Sequence, residues 1–288
     1  MALLELGATT TTQASITQAS ITAELNYLTP GPERPRTYTY DPPSGIPRST
    51  IINDARRVVI RNARPTLAQF ALDVEGFGLV RQPSKVGDFY DEAEVKHAYY
   101  AEAERILEEV TGADRVFIFD HTLRRRVPGA EDRRSGVPRQ PVPRVHVDHT
   151  ERSGPQRVRD LLPDEAERLL RGRVQIINLW RPIRGPLEDM PLAVCDARSV
   201  SPEELVESDL VYRDRTGETY AVLFHPRHRW FYVPRMQTDE VLLLKCYDSL
   251  SDGRARFAPH TAFTDPTAPS DALPRESIEL RALVFHSV

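Results

Sequence analysis

The second half of the chain is dominated by short runs of residues with the pattern of β-strands, and this pattern constrains the fold more than any other feature. Proline, glycine, aspartate and serine, which are typical of turns, separate the runs, so the connections between successive strands are short. Closely spaced strands of this kind are typical of antiparallel sheets. The runs cover residues 115–122, 174–183, 209–213, 219–226, 228–234, 240–248 and 277–285.

One stretch, DEAEVKHAYYAEAERILEEVTG at residues 91–112, has helical periodicity instead. Asp91 can cap its start and Gly112 can end it. Apolar residues three and four positions apart predict one buried face; they are Val95, Tyr99, Ala103, Ile106 and Val110. The sequence therefore predicts a mainly β protein of the α+β class, in which an antiparallel barrel or jelly roll is flanked by helices.

The N-terminal region differs in composition from the rest of the chain. Residues 13–22 are the tandem QASITQASIT, and residues 27–47 are crowded with proline, which disfavours helix and favours an extended chain. We therefore expect residues 1–48 to form an extended, partly flexible arm, although the tandem also fits one edge strand. Residues 49–288 are expected to form a single domain.

Charge and cysteine content exclude several classes of protein. The 38 basic and 42 acidic residues nearly cancel, so no global field favours nucleic acid or an anionic membrane. The two cysteines form neither a disulfide framework nor a zinc motif, which fits the reducing cytoplasm. No apolar run approaches the roughly 20 residues that span a bilayer, and the N-terminus lacks the pattern of a signal peptide. We expect a cytoplasmic protein.

An arginine-rich segment follows the strand-like run at 115–122. Seven arginines lie between positions 124 and 144, among prolines and glycines. The segment is interpreted as a solvated loop, with a clamp for an acidic ligand or a partner as the alternative. This loop and the N-terminal arm are also the features on which a homodimer is expected.

The sequence VPRVHVDHT, residues 142–150, contains the pattern that carries chemistry. Residues two apart on a strand point to the same face, so His146 and Asp148 form a ready-made pair of metal ligands. A histidine beside an aspartate is also common as a satisfied core pair. A metal site therefore requires a third ligand, and two imidazoles with one carboxylate would form the facial triad of non-haem iron(II) enzymes.

Four histidines downstream are candidates for that third ligand: His225, His228, His260 and His286. His260 is favoured because Arg275 and Ser277 follow it, two apart on one strand face. A buried arginine beside a hydroxyl can hold the distal carboxylate of a 2-oxo diacid. His228 remains the alternative ligand.

Several ordered blocks of the chain together resemble a known family, that of fungal asaB-like hydroxylases/desaturases, gibberellin desaturase-like proteins and the cephamycin methoxylase component. The resemblance runs from about Val58 to Val284. The blocks are FDHTLRRR (119–126), VHVDHT (145–150), INLWRPI (177–183), PLAVCDARSV (191–200), HRWFYVPRMQTDEVLLLKCYDS (228–249), PHTAFTDP (259–266) and PRESIELRALVF (274–285).

The resemblance implies a double-stranded β-helix and an oxygenase that uses iron(II), 2-oxoglutarate and O2. By this resemblance His146, Asp148 and His260 would ligate iron, and Arg275 with Ser277 would anchor 2-oxoglutarate. The reaction implied is hydroxylation or desaturation of a small molecule, coupled to decarboxylation of 2-oxoglutarate to succinate and CO2. The long spacing between His260 and Arg275 leaves Arg281 open as a substitute anchor.

The expected substrate contacts are Asn178, Trp180, Trp230 and Tyr232. Core filling is the alternative for the three aromatic residues, and a structural hydrogen bond is the alternative for Asn178. Two other functions stay open. One is a non-catalytic partner subunit of an active homologue, and the other is a cupin-type metal enzyme that uses His146, Asp148 and His228 without 2-oxoglutarate.

Overall fold

Two β-sheets form the framework of the protein in a computed structural model, which describes residues 18–130, 132 and 138–287. The strands, named in chain order, are β1 (Ser20–Leu28), β2 (Arg36–Tyr38), β3 (Asn53–Asn62), β4 (Phe77–Arg81), β5 (Arg115–Arg125), β6 (His146–Val147), β7 (Val174–Pro182), β8 (Leu192–Cys195), β9 (Leu205–Val211), β10 (Thr216–Val222), β11 (Trp230–Tyr232), β12 (Glu240–Asp248), β13 (His260–Ala262) and β14 (Glu276–Phe285).

Within the residues that the structure describes, three helices accompany these strands. Helix α1 runs through three consecutive segments, and the middle one has π-helical hydrogen bonding. The helical segments are Glu92–Glu94, Val95–Tyr99 and Tyr100–Thr111 in α1, Ser153–Leu161 in α2 and Ala166–Leu169 in α3, with short 3-10 turns at Arg64–Gln69, Ala197–Ser199 and Pro202–Glu204.

The larger sheet has nine strands in the order β1-β3-β11-β8-β13-β6-β10-β9-β2, and the smaller has five in the order β4-β12-β7-β14-β5. Neighbouring strands are antiparallel except for the β3–β11 and β2–β9 pairs. The inner faces of both sheets meet in the main hydrophobic core, which includes Val147 and Val194 from the larger sheet and Ile176 and Leu244 from the smaller. The predicted mainly β architecture with flanking helices is confirmed.

Helix α1 covers the outer face of the five-stranded sheet. The Asp91 carboxylate accepts hydrogen bonds from the backbone N–H groups of Ala93 and Glu94, and Gly112 ends the helix in the left-handed conformation with φ of 65°. The buried side of α1 packs in a second core with strand residues such as Leu179 and Leu280. The helix predicted at 91–112 is confirmed, but Val110, which was expected on its buried face, is 44% exposed near the end of the helix.

The N-terminal strand β1 lies at one edge of the nine-stranded sheet. It pairs with β3 along its whole length, from Ser20 opposite Arg61 to Leu28 opposite Asn53. Its alternate residues Ile21, Ala23, Leu25 and Tyr27 are buried in a third core. The edge strand that the tandem repeat allowed is therefore present from Ser20 onward. Residues 1–17 lie outside the described residues, so a flexible arm there stays a prediction.

The helices of the described residues were also compared with what crossing a membrane requires. Among them, no helix combines the length and the apolar character that crossing a membrane requires.

Candidate active site

Strands β6 and β13 lie side by side in the larger sheet and bring two histidines together. His146 is directly opposite His260 in the antiparallel ladder, and their ring centroids are 4.5 Å apart. Asp148 follows β6 on the same face, with Oδ1 3.4 Å from His146 Nε2. One ligand atom from each residue lies within 4.8 Å of the other two, and the described part of the chain contains no other such group. We call these residues the His–Asp–His triad.

Both imidazoles of the triad are oriented by the backbone. His146 Nδ1 lies 2.7 Å from the Arg144 carbonyl oxygen, and His260 Nδ1 lies 3.1 Å from that of Ala258. A carbonyl oxygen can only accept, so each Nδ1 carries the proton and each Nε2 lone pair is free. Burial, and then the neighbouring His146, lower the pKa of His260, which keeps this ring neutral. The rings are therefore prepared to bind a metal ion.

The third member of the triad is an ionised carboxylate. Asp148 Oδ2 accepts hydrogen bonds from Asn178 Nδ2 and Arg281 Nε, both at 2.9 Å. Burial would raise the pKa of Asp148, but the positive charge of Arg281 holds that pKa well below its usual range. Since Oδ2 is occupied, Oδ1 is the oxygen available to a metal.

Arg281 belongs to the support of the triad and is not available as an anchor. Besides Asp148, its guanidinium donates to Glu279 Oε2 at 2.8 Å and to Asp120 Oδ1 at 3.1 Å. Burial would lower the pKa of Arg281, but Glu279 and Asp148 raise it well above its ordinary value. With three carboxylates already bound, the guanidinium cannot serve as the substitute anchor that the sequence left open.

Arg275 has the opposite surroundings, since among the described residues no carboxylate is hydrogen-bonded to its side chain. It is 2% exposed; Nε donates to Ser277 Oγ at 3.1 Å, and Nη1 donates to the Met190 carbonyl oxygen at 2.9 Å. Its guanidinium lies 4.8 Å from the ring centroid of Trp180. Burial, and then the nearby charge of Arg124, lower the pKa of Arg275 to about 9. Nη2 has no hydrogen-bond partner among the described residues.

The other candidate histidines lie away from the triad. His228 Nε2 is 2.9 Å from Glu204 Oε2, and its ring stacks on Tyr27. His225 Nδ1 accepts from the Arg227 backbone N–H, and the side-chain amide of Gln175 lies 2.8 Å from His286 Nε2. Of the four candidates, the structure brings only His260 to His146 and Asp148.

The predicted substrate contacts divide into two groups. Asn178 is completely buried and donates to Asp148 and Glu279, so the structural hydrogen bond left open by the sequence is what the fold uses. Trp180 lies in the main core between the sheets, beneath Arg275.

Trp230 and Tyr232 require a correction. They pair with Cys195 and Ala193 of β8 and pack in the third core, on the face of the sheet opposite His260. The indole Nε1 of Trp230 donates to the Tyr27 hydroxyl at 2.7 Å. The structure does not bring these two residues to the triad; they fill a core, the alternative that the sequence left open. Phe231, between them, faces the main core instead.

Sequence reasoning missed the support that surrounds Asp148. Arg281 is opposite Asn178 in the β7–β14 ladder, and Glu279 is opposite Trp180. Strand parity, by which residues two apart point to the same face, already placed Glu279 and Arg281 on the face of Ser277. A signal for their position was therefore present in the sequence. What the sequence lacked was the register between β7 and β14, which places Arg281 beside Asn178 and both beside the triad.

Comparison with known proteins gives consistent matches along nearly the whole chain. Residues 25–285 match the protein family described as "Oxidoreductase/YMDC permease-like domain". The hydroxylase/desaturase efuI of Hormonema carpetanum is 38% identical over 248 residues, which cover 79% of this chain and 83% of that protein. The Fe(II)/2-oxoglutarate-dependent dioxygenase nvfI of Aspergillus novofumigatus is 32% identical over 272 residues, which cover 91% and 96% respectively.

A solved structure resembles the fold equally well. It is that of the iron and alpha-ketoglutarate-dependent endoperoxidase NvfI, which superposes with a TM-score of 0.86 at 29% sequence identity. The match covers 94% of this chain and 100% of the solved chain.

Proposed function

The chain belongs to the Oxidoreductase/YMDC permease-like domain family together with fungal iron(II)/2-oxoglutarate-dependent hydroxylases and desaturases, and on that premise we propose that the His–Asp–His triad holds its iron. The protein is accordingly a non-haem dioxygenase with a double-stranded β-helix fold. Its cofactors are iron(II), 2-oxoglutarate and O2.

One observation carries the assignment of the metal ligands: one nitrogen from each of two imidazoles and one carboxylate oxygen converge within 4.8 Å. The remaining polar atoms of these side chains are already hydrogen-bonded to Arg144, Ala258, Asn178 and Arg281. Two histidines and one carboxylate suit iron(II) and leave coordination positions open for the cosubstrates. The donor set therefore fits the metal that the family uses.

Arg275 and Ser277 fit the distal carboxylate of 2-oxoglutarate. A buried guanidinium without a carboxylate partner is costly, and an incoming carboxylate would offset that cost through charge-assisted hydrogen bonds. Ser277 fixes Nε and Met190 fixes Nη1, so the side chain is held in one orientation before the cosubstrate binds. The stacking of Trp180 on the guanidinium further restricts its motion.

When bound, iron supplies the redox chemistry with dioxygen that couples decarboxylation of 2-oxoglutarate, to succinate and CO2, to oxidation of a substrate. The chain's own residues position the groups that bind the metal and the cosubstrate. Asn178 and Arg281 keep Oδ2 of Asp148 occupied, which favours binding of the metal through Oδ1 alone. Trp180 forms an apolar wall beside the anchor, which helps to exclude water from the site.

The reaction proposed is hydroxylation or desaturation of a small molecule. The complete ligand set of the triad argues against a non-catalytic partner subunit. The cupin-type alternative required His228 as a ligand, but that side chain is bonded to Glu204 and stacked on Tyr27.

Succinate formation tests the proposed function. Protein supplied with iron(II), 2-oxoglutarate and O2 should release succinate above background even without its true substrate, through uncoupled turnover. His260→Ala should abolish this release, whereas His228→Ala, at a histidine outside the triad, should retain it in folded protein. Loss of release in His228→Ala together with full release in His260→Ala would overturn the assignment of the ligands.

We further propose a cytoplasmic location. The free, buried cysteines Cys195 and Cys246 support a cytoplasmic location. Residues 49–288 are proposed as the oxygenase domain, to which the preceding residues add the edge strands β1 and β2. The homodimer stays a prediction.

A further inference from the structure

Arg124 lies beside the proposed carboxylate anchor although it comes from a different strand. In the β5–β14 ladder Arg124 is directly opposite Ser277. Residues directly opposite each other in an antiparallel pair extend their side chains to the same face. Ser277 is thus next to both arginines, through a hydrogen bond from Arg275 Nε to its Oγ and through strand pairing with Arg124.

The partners of Arg124 leave most of its guanidinium unused. Nη1 donates to the Gln140 carbonyl oxygen at 2.7 Å, and among the described residues no carboxylate is hydrogen-bonded to this side chain. The next two arginines differ from it: Arg125 is exposed, and Arg126 forms an ion pair with Asp189. Arg124 is partly buried, so its charge is only incompletely screened by water.

The acidic groups that interact electrostatically with this pair of arginines are Glu279, Asp189 and Asp132, and each already has a hydrogen-bond partner. Asp132 accepts from Arg139 Nε at 2.9 Å. Glu279 accepts from Arg281 Nη2 at 2.8 Å and from Asn178 Nδ2 at 3.2 Å. Asp189 accepts from the Arg275 backbone N–H and pairs with Arg126. The two arginines are thus neighbours by strand pairing and by charge, and no carboxylate of the described residues is hydrogen-bonded to either side chain.

The pKa shifts of Arg124 and Arg275 agree with their position next to each other. Burial, and then the neighbouring Arg139, lower the pKa of Arg124 to about 10. Arg124 is in turn the largest cause after burial of the lowered pKa of Arg275. Like charges in a partly dry site destabilise each other, and an anion placed between them relieves the repulsion.

We propose that Arg124 and Arg275 together bind the distal carboxylate of 2-oxoglutarate, with one guanidinium donating from β5 and the other from β14. The inference rests on the proposed function, because it assumes that 2-oxoglutarate enters this site. A carboxylate has two oxygens and about four acceptor positions, so it can accept from both groups. Part of the arginine-rich segment is thereby a clamp for an acidic ligand, the alternative that the sequence left open.

The consequence is selectivity for 2-oxo acids that carry a second carboxylate. Arg124 should contribute to the binding of 2-oxoglutarate but not to that of 2-oxobutyrate, which has the same keto acid and no distal carboxylate. Loss of one charge-assisted contact corresponds to about a 10- to 100-fold weaker affinity.

Anaerobic titration of the iron(II) protein tests this selectivity without turnover. Chelation of a 2-oxo acid by the iron should give a weak visible charge-transfer band, and its growth reports the dissociation constant. Arg124→Gln should bind 2-oxoglutarate about 10- to 100-fold more weakly than the parent and 2-oxobutyrate about equally well. Arg125→Gln, at the exposed neighbouring arginine, should match the parent for both acids.

Arg124→Lys is a second variant that keeps the proposal testable if Arg124→Gln does not fold. It keeps the charge but loses the planar fork, so it should bind 2-oxoglutarate with intermediate affinity. Unchanged 2-oxoglutarate affinity in both variants would overturn the proposal, and so would an equal loss for both acids. Absence of the charge-transfer band in the parent protein would instead contradict the proposed function, and this inference would fail with it.

Discussion

Asp148 is the most heavily tethered member of the triad, and the charges around it explain its role. Its carboxylate shares Arg281 with Glu279 and Asp120, so one guanidinium compensates three acids. Asp148 and Glu279 are both largely removed from water. Without Arg281 they would be buried carboxylates with no cation bonded to them, unless a metal ion occupied the triad.

We therefore predict that Arg281→Met destabilises the metal-free protein by about 3 to 5 kcal/mol, the usual cost of removing one partner of a buried ion pair. A divalent metal bound at the triad should restore more stability in this variant than in the parent, because it supplies the missing positive charge. Urea unfolding with and without Mn(II) measures both effects.

The control for this prediction is Arg81→Met, since the side chain of Arg81 is 74% exposed. Its ion pair with Asp239 should contribute little to stability. Equal stability of Arg281→Met and the parent, or no added protection by metal, would contradict the proposed role of Arg281.

Single-residue reasoning from the sequence succeeded where strand parity was sufficient. Parity placed His146 and Asp148 on one face, and the structure brings both to the triad. Trp230 and Tyr232, which were expected to contact the substrate, pack in the third core instead. Parity does not tell which face of a strand is the inner one when both faces are apolar, and β11 is covered on both sides. The error for these two aromatic residues has this cause.

At the scale of elements, the strand β1 shows how an edge strand becomes part of the core. Leu25 is 1% exposed and packs in the third core, although β1 has only β3 as its neighbour in the sheet order. The proline-rich segment that follows β1 favoured an arm in the sequence analysis. Nothing in residues 20–28 alone reveals that β3 is their partner.

Leu25→Ala should lower the free energy of unfolding by about 2 to 5 kcal/mol, because it leaves a cavity between β1 and the rest of the third core. Val59→Ala in β3 is the matched control, since Val59 is 50% exposed and should change stability little. Thermal or urea unfolding measures the difference. A flexible arm at these residues would instead predict equal stability for the two variants.

The shortest strands were the hardest elements to predict. The pairing of β6 with β13 that brings the triad together involves only His146 opposite His260. Such a contact has no periodicity of its own to detect. The longer runs at β7, β12 and β14 and the helix α1 were predictable because their patterns extend over two or more turns or pleats.

At the scale of the whole molecule, a network of charges joins distant segments and makes stability depend on pH. Asp73 accepts from Arg173 Nη2 at 2.6 Å, from Lys245 Nζ at 2.5 Å and from Arg254 Nη1 at 2.9 Å. Burial would raise the pKa of Asp73, but Arg173 and Lys245 lower it to about 2. The folded state thus holds this carboxyl ionised more strongly than the unfolded chain does.

A depressed carboxyl pKa stabilises the folded state above the unfolded pKa of about 4, and this stability is lost as the pH falls toward 2. Asp73→Asn should therefore be less stable than the parent at pH 7, with a difference that shrinks between about pH 4 and pH 2. Urea unfolding across this range measures the difference. A constant difference from pH 7 to pH 2 would show that Asp73 acts through something other than its charge.

The fold class and the expected ligands were predictable for the molecule as a whole because the sequence blocks resemble a family along most of the chain. Two features could not be predicted: Arg281 lies beside Asp148, and Arg124 lies beside Ser277. Both depend on the registers of β14 with its two neighbouring strands. Register arises from packing across the sheets, which one sequence does not record.

Anomalous diffraction from anaerobic crystals grown with iron(II) tests the proposed metal site most directly. We predict one strong iron peak, bound by Nε2 of His146, Nε2 of His260 and Oδ1 of Asp148, with Arg281 still bonded to Oδ2. An iron peak elsewhere, or one at the triad with the imidazole of His260 turned away from it, would show that the ligands are assigned wrongly.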